Sequence, residues 1–337
     1  MNYSSDHIRL NRIVASIVLA ISFIVYLLTM APTVSYWDCG EFIATSYILG
    51  VPHPPGSPLY LLIGRIFSMI PTNPDIAFRV NIISPIVSAL ACMLLYLTIV
   101  KIILHWRGKI KDNADLLIVF GGSLVGALTF AFTDSHWFNA VEAEVYAMST
   151  FFTAIVVWLI LVWSENADKD GNERYILIIA YMFGLAIGVH ILNLLTLPFL
   201  ALIIYFRKTT FEWKTFFITM GMTAAVFLVI HNGIIKGLPR LSKLMGLGGV
   251  AFLVLIIFAI TLWAIKNKQQ LLSLVFSSVI LILVGYSSYT TIFIRSGQDP
   301  MIDENDPETI SRAISYLERE QYGAIGQLPR KYIKNKV

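Results

Sequence analysis

Apolar positions in this chain come in long unbroken stretches rather than at alternating or one-faced spacing. Runs of spanning length occupy about 13–33, 79–104, 115–133, 146–163, 175–191, 192–206, 215–235, 246–264 and 270–292. About 20 consecutive apolar residues suffice for a helix to cross a hydrocarbon core. The pattern therefore predicts an all-α polytopic membrane protein with about nine transmembrane helices. The fifth and sixth runs nearly touch around "GVHILN", so their boundary is the least sharply marked. Between the first and second runs lie two shorter pieces, "EFIATSYILG" and "PLYLLIGRIFSMI", separated by Pro52, Pro54, Pro55 and Pro58. Their length suits interfacial or re-entrant helices, and proline ring nitrogens cannot donate the bonds that would fuse them.

After residue 292 the character changes. The stretch "SGQDPMIDENDPETISRAISYLEREQYG" is polar and acidic, which divides the chain into a membrane module, 1–292, and a tail, 293–337. In "NDPET", Asp306 is expected to cap a helix, with Pro307 at the first helical position and Glu308 favouring the dipole. Ile310, Ala313, Ile314 and Leu317 then form one apolar face that needs a partner. The closing "RKYIKNKV" reads as the start of a further region rather than an end.

Composition agrees with the pattern: 57% of the 337 residues are hydrophobic and only 14% charged. A soluble domain carries about 25% charged residues, so lipid is the main solvent here. The first run is too long for a signal-peptide core, and "LTMAPTVSYW" lacks a small-residue cleavage site, so an uncleaved first span is expected. Two cysteines, Cys39 and Cys92, make no disulfide framework, and a bridge between them is not expected. With the N-terminus in the cytoplasm, 13 Lys and Arg fall in inner segments and 5 in outer loops before the last span. The positive-inside rule thus places the N-terminus inside and the tail outside.

That orientation gathers several ionisable groups on the outer face. In "SYWDCGEF", Asp38 and Glu41 follow directly on the first span. They fit a capping box before the apolar helix, and equally a pair of carboxylates held at headgroup level. His53 sits in the stiff turn "VPHPPG", where it either bonds to backbone or contacts a phosphate or an acceptor hydroxyl. "TDSHWFNAVEAEVYAMST" carries Glu142 and Glu144 before the fourth span, with Tyr146 placed to share a helical face with Glu142. His190 and Asn193 lie at the outer end of the fifth span. Arg65, Arg240 and Arg295 are outer cations suited to phosphate by their fork geometry, although loop solvation or lipid contact explains them as well. Glycines 121, 122 and 126 of the third span read as helix contacts. No nucleotide loop, zinc-ligand pair or cysteine nucleophile motif is present.

The segments "APTVSYWDCGEFIATSYILGVPHPPGSPLY", "NAVEAEVYAMS", "GVHILNLLTLP" and "DENDPETISRAISYLEREQYG" together resemble the protein O-mannosyltransferase-like membrane family of the GT-C glycosyltransferase superfamily, found in Bacteroidota and animals. The resemblance runs from about residue 13 to 325. It implies a GT-C-like bundle with an acidic motif in the first outward loop, a polyprenyl-phosphate sugar as donor, and an exported protein as acceptor. A bacterial inner-membrane member would face its active site to the periplasm. Family members often continue into further spans and a soluble region, so this chain reads as short for the family.

Such a site needs a base for the acceptor hydroxyl, which Asp38 is expected to supply, with Glu41 as alternative base or orienting group. His53, Glu142, Glu144, Tyr146, His190 and Asn193 are expected to support substrate, and Arg65, Arg240 and Arg295 the phosphate. No metal and no cofactor is expected, although carboxylates with a histidine suit a hard cation. Nucleic acid is not an expected partner. Two alternatives stay open: transfer to a lipid or glycan acceptor, and a non-enzymatic flippase for lipid-linked solutes. The second should place ionisable residues mid-span, and none is evident.

Overall fold

A computed structural model describes residues 5–323 of the chain. Helix α1 (Ser5–Thr29) is followed by α2 (Cys39–Ile48) and α3 (Pro58–Met69), then α4 (Ile76–Asn81) and α5 (Ile83–Arg107). Next come α6 (Asn113–Leu116), α7 (Gly122–Ala131), α8 (Asp134–Ala140) and α9 (Val145–Asn166). The bundle continues with α10 (Glu173–Ile187), α11 (Leu197–Lys208), α12 (Trp213–Leu228), α13 (Gly237–Lys266) and α14 (Gln270–Tyr286). Helices α15 (Thr290–Ser296) and α16 (Ile310–Glu318) end the described residues. No strand occurs among them; one isolated bridge joins Val51 to Asp303.

Among the described residues, eight helical stretches are long and apolar enough to cross a membrane, one fewer than the nine runs in the sequence. The difference lies at run 175–191, because α10 has only 15 residues. It still links the two ends of the bundle. Beside its start Trp163 Nε1 donates to Asn172 Oδ1 at 3.1 Å, and past its end Asn193 Nδ2 donates to Ser149 Oγ at 3.1 Å. The chain unwinds at Gly188–His190, turns through a 3₁₀ segment at Ile191–Thr196, and returns as α11. Backbone carbonyls freed inside a membrane must find partners. Here the first outward loop supplies them: Leu59 N donates to Gly188 O at 2.9 Å, and Ser57 Oγ to Val189 O at 2.9 Å.

The two short helices of that loop are therefore not surface riders. Phe42 and Ile43 of α2 and Tyr60 and Leu61 of α3 are buried in the main core with Phe152, Ile160, Phe183 and Ile187. A second core joins α1, α5 and α7, where Tyr26 donates to Ala131 O at 2.8 Å. Helices α10 and α14 approach closely. A Cβ on Gly285 would sit 2.5 Å from the Gly184 carbonyl carbon, so these backbones touch directly. Of the third-span glycines, Gly126 meets a neighbouring helix, with Ile99 Cδ1 3.1 Å from its Cβ position, while Gly122 faces open space.

The tail folds back over the loop. Val51 N donates to Ile302 O at 2.8 Å, Glu304 N to Val51 O at 3.1 Å, and Tyr316 OH to Pro52 O at 2.6 Å. Ala313, Tyr316 and Leu317 of α16 are buried, so the apolar face has its partner. The helix begins later than "NDPET" suggests, because Thr309, not Asp306, is its cap and accepts from Arg312 N. Asp306 instead has a left-handed φ of 44° and pairs with Arg312. The closing "RKYIKNKV" lies outside the described residues. Cys39 and Cys92 are both free and buried.

Candidate active site

A cavity of about 540 Å³ opens where the first outward loop, the start of α9, the break after α10 and the tail meet. Asp38, Glu41, His53, Glu144, Tyr146 and His190 line it, as do Tyr289, Glu304, Arg319 and Tyr322. Groups up to 284 positions apart along the chain thus share one concavity.

Asp38 stands at the boundary of α2 but does not cap it. Cap residues need extended backbone to turn their oxygen onto the N2 or N3 amide. Asp38 is already helical at φ −77° and ψ −4°, and its side chain makes no capping bond. The preceding Trp37 takes a left-handed φ of 59°, which fixes how the chain enters the helix. The carboxylate is consequently exposed at the cavity.

Glu41 does not complete a capping box either. One carboxylate oxygen accepts from His53 N at 2.6 Å and the other lies 2.6 Å from His53 Nδ1. The bond between Glu41 and the ring raises the His53 pKa, against the opposing effect of burial. Oxygens of Asp38 and Glu41 and a ring nitrogen of His53 all lie within 4.8 Å of one another. That donor set suits a hard cation. In the structure each Glu41 oxygen accepts one contact from His53, and no capping bond engages Asp38.

Glu144 lies deeper. It caps α9 by accepting from Val145 N at 3.3 Å, and Cys39 Sγ donates to it at 3.8 Å. Burial, then the nearby charge of Asp38, pushes its pKa up to about 7. Burial and the two glutamates also push the Cys39 thiol up. Glu142 is buried and accepts from Ser35 Oγ at 2.5 Å. Because α9 starts only at Val145, Glu142 and Tyr146 do not share a helical face, contrary to the expectation from spacing. His190 is lowered by burial and by Arg319; its Nδ1 accepts from Leu192 N at 3.2 Å, and its ring packs 5.4 Å from Tyr146.

Asn193 is 3% exposed, bonded to Ser149 and Thr153, and outside the cavity lining. The three arginines expected to meet phosphate are committed elsewhere. Arg295 Nε donates to Leu49 O at 2.7 Å and so closes the end of α2. Arg65 donates to Tyr47 O beside it, and Arg240 pairs with Glu318 at 2.5 Å. The cation at the cavity is Arg319, in a left-handed residue ending α16, with its guanidinium 4.8 Å from the Tyr322 ring. Glu304 is the other charged residue not singled out from the sequence; burial, then Glu41, raises its pKa. Both lie in "DENDPETISRAISYLEREQYG", so a motif signal existed, but only folding could carry it to the first loop.

The family model for the N-terminal domain of protein O-mannosyl-transferase TMEM260 matches residues 38–213, starting at Asp38 itself. The chain belongs to this family. A protein O-mannosyl-transferase tmem260 of Dictyostelium discoideum is 30% identical over 228 residues, covering 61% of this chain and 26% of that protein. The Mus musculus protein O-mannosyl-transferase TMEM260 is 26% identical over 163 residues, covering 48% of this chain and 21% of its own length. The chain thus spans about a quarter of the relatives it matches. No solved structure matches it. The matched region holds Asp38, Glu41, His53, Glu144, Tyr146 and His190, whereas Glu304 and Arg319 lie beyond it.

Proposed function

We propose that this chain carries the catalytic centre of a GT-C-type, inverting O-mannosyltransferase that takes its sugar from a polyprenyl-phosphate-linked donor. The acceptor is a Ser or Thr hydroxyl of an exported protein. Asp38 takes the hydroxyl proton while the acceptor oxygen attacks the anomeric carbon. The bond from that carbon to the phosphate oxygen breaks, and polyprenyl phosphate leaves with the electron pair. Phosphate is a tolerable leaving group, since its second pKa is near 6. Arg319 and His53, the latter held toward its charged form by Glu41, both line the cavity and meet its charge. Attack opposite the leaving group inverts the centre.

The observation that carries this reading is Asp38: a carboxylate at a helix boundary that does not cap, facing a cavity that also presents cations. No metal is assigned to the step, in which Asp38 acts as base and Glu41 orients His53. The cavity is assigned to the face opposite the cytoplasm, in a bacterial cell the periplasmic one. Lys101, Lys169, Arg174, Arg207 and Lys208 fall at the far ends of α5, α9, α10 and α11, which supports that orientation.

The test is transfer of labelled mannose from polyprenyl-phosphate mannose to exported protein in membranes, with Asp38→Asn as comparison. Label on protein that vanishes in the variant, at equal expression, supports the reading. Label on lipid or glycan instead moves the acceptor class, and equal label in both forms removes Asp38 as base.

A further inference from the structure

The segment between α1 and α2 that carries Asp38 has no helix of its own. Such a segment holds a side chain in place only where other parts of the fold fasten its backbone. Three fastenings run from it to the turn between α8 and α9. Ala31 N donates to Val141 O at 2.8 Å, Ser35 Oγ to Glu142 Oε2 at 2.5 Å, and Cys39 Sγ to Glu144 Oε1 at 3.8 Å. A fourth comes from α4, where Asn81 Nδ2 donates to Ala31 O at 2.8 Å and to Thr33 O at 2.9 Å. The two carboxyl fastenings therefore fall on either side of Asp38, at Ser35 before it and Cys39 after it.

The turn is shaped for this work. Glu144 N donates to Glu142 O at 2.8 Å, and Glu144 is extended at φ −126° and ψ 147°. Alternate residues of an extended chain share a face. Both carboxyls thus reach the first loop, while Ala143 packs into the main core. Glu142 is 3% exposed and is not among the residues lining the cavity, so its contacts are with the loop and not with substrate. Its Oε1 has no hydrogen-bond partner among the described residues. A buried carboxyl with an unbonded oxygen is costly, which makes it a poor filler and leaves the bond to Ser35 as its task.

We infer that Glu142 is a positioning residue for the transfer reaction: through Ser35 it fixes the loop that presents Asp38, while Glu144 holds the same loop on the other side. The inference rests on Asp38 as the base, and it gives Glu142 a role other than the substrate support expected from the sequence. Misplacing a reacting group by about 1 Å can cost roughly 10²-fold in rate, so one buried bond behind the loop is enough to matter.

The experiment measures transfer by the full-length protein in membranes. Ser35→Ala and Glu142→Leu should each lower kcat by roughly 10–10²-fold while donor and acceptor KM stay within about twofold. Glu142→Gln should keep most of the rate, because its amide oxygen still accepts from Ser35. In an Asp38→Asn background neither loss should recur, since both act through that carboxylate. A change in KM in place of kcat, a Gln variant as impaired as Leu, or the same loss repeated in the Asp38→Asn background would each overturn the inference.

A nitroxide on Asp38→Cys reads the loop without any transfer, with wild type as the labelling blank because Cys39 and Cys92 are buried. Its spectrum should sharpen when Ser35→Ala or Glu142→Leu is added. It should not change with Ser123→Ala, which removes a buried hydroxyl bonded to Val119 O in the third span. Ser35 is only partly buried, so its variant keeps the test open if Glu142→Leu fails to fold. A spectrum indifferent to Ser35→Ala would refute the fastening itself. Full transfer by Asp38→Asn removes the base reading, whereas unchanged kcat in Ser35→Ala and Glu142→Leu beside an impaired Asp38→Asn removes this inference alone.

Discussion

Glu41 spends both of its carboxylate oxygens on one residue, His53, bonding its backbone amide and its ring at 2.6 Å each. Twelve positions apart, they staple the turn after α2 back onto the helix and leave Asp38 as the uncommitted carboxylate of the first loop. Role follows from that division: Asp38 for the proton, Glu41 for the shape and charge of His53.

Asp38→Asn should cut transfer by roughly 10²–10⁴-fold, the usual contribution of a general base. Its melting temperature should stay near wild type, because no capping bond is lost. Kinetics beside a thermal melt check both halves; a large drop in Tm would return Asp38 to a structural role.

The Glu41–His53 bond makes stability depend on pH with a definite sign. The folded pKa of His53 is raised above its ordinary value of 6.5. Its contribution is thus fully present below about pH 6.5 and lost as pH rises through the folded value. The Tm difference between wild type and His53→Gln should shrink on going from pH 6 to 9. A difference that grows over that range would contradict the pairing.

Glu144 behaves oppositely to an ordinary paired carboxylate, since its pKa goes up to about 7. The folded state then holds a proton that the unfolded chain gives up at lower pH, so stability falls as pH rises from about 4.5 to 7. Glu144→Gln removes that penalty. It should melt above wild type at pH 8 and alongside it at pH 4, readable by differential scanning fluorimetry.

Two arginines should separate by readout. Arg319→Gln is expected to raise the donor KM with little change in Tm, because its guanidinium packs over the Tyr322 ring and, among the described residues, no ion pair holds it. Arg295→Ala uncaps the last carbonyls of α2 and should appear as lost stability of about 1–3 kcal/mol, the cost of orphaned buried acceptors. The reverse pattern would exchange their assignments.

Gly285→Val should splay α14 from α10, with overpacking typically costing about 1–3 kcal/mol. Chelation makes a further check: activity unaffected by EDTA is expected if Glu41 stays on His53, and loss restored by a divalent cation would give the Asp38–Glu41–His53 cluster to a metal.

The sequence by itself determined the membrane class, nearly all the helices, and the first-loop carboxylates, because these depend on local composition. A run such as Ile13–Thr29 has one stable option in lipid, whatever it packs against. The break after α10 was only half legible: "GVHILN" marked an uncertain boundary, but whether it unwinds depends on Ser57 and Leu59 arriving to bond its carbonyls. Arginine roles were decided wholly by tertiary structure. Arg65, Arg240, Arg295 and Arg319 are alike as outer cations in sequence; three find carbonyls or a carboxylate and only the last borders the cavity. The same holds for "DCGE", whose spacing fits a capping box, while the left-handed Trp37 and the nearness of His53 turn both carboxylates to other work. Long-range partners compete with local ones for every polar group, and the winner is set by which segments the packed helices bring within bonding distance.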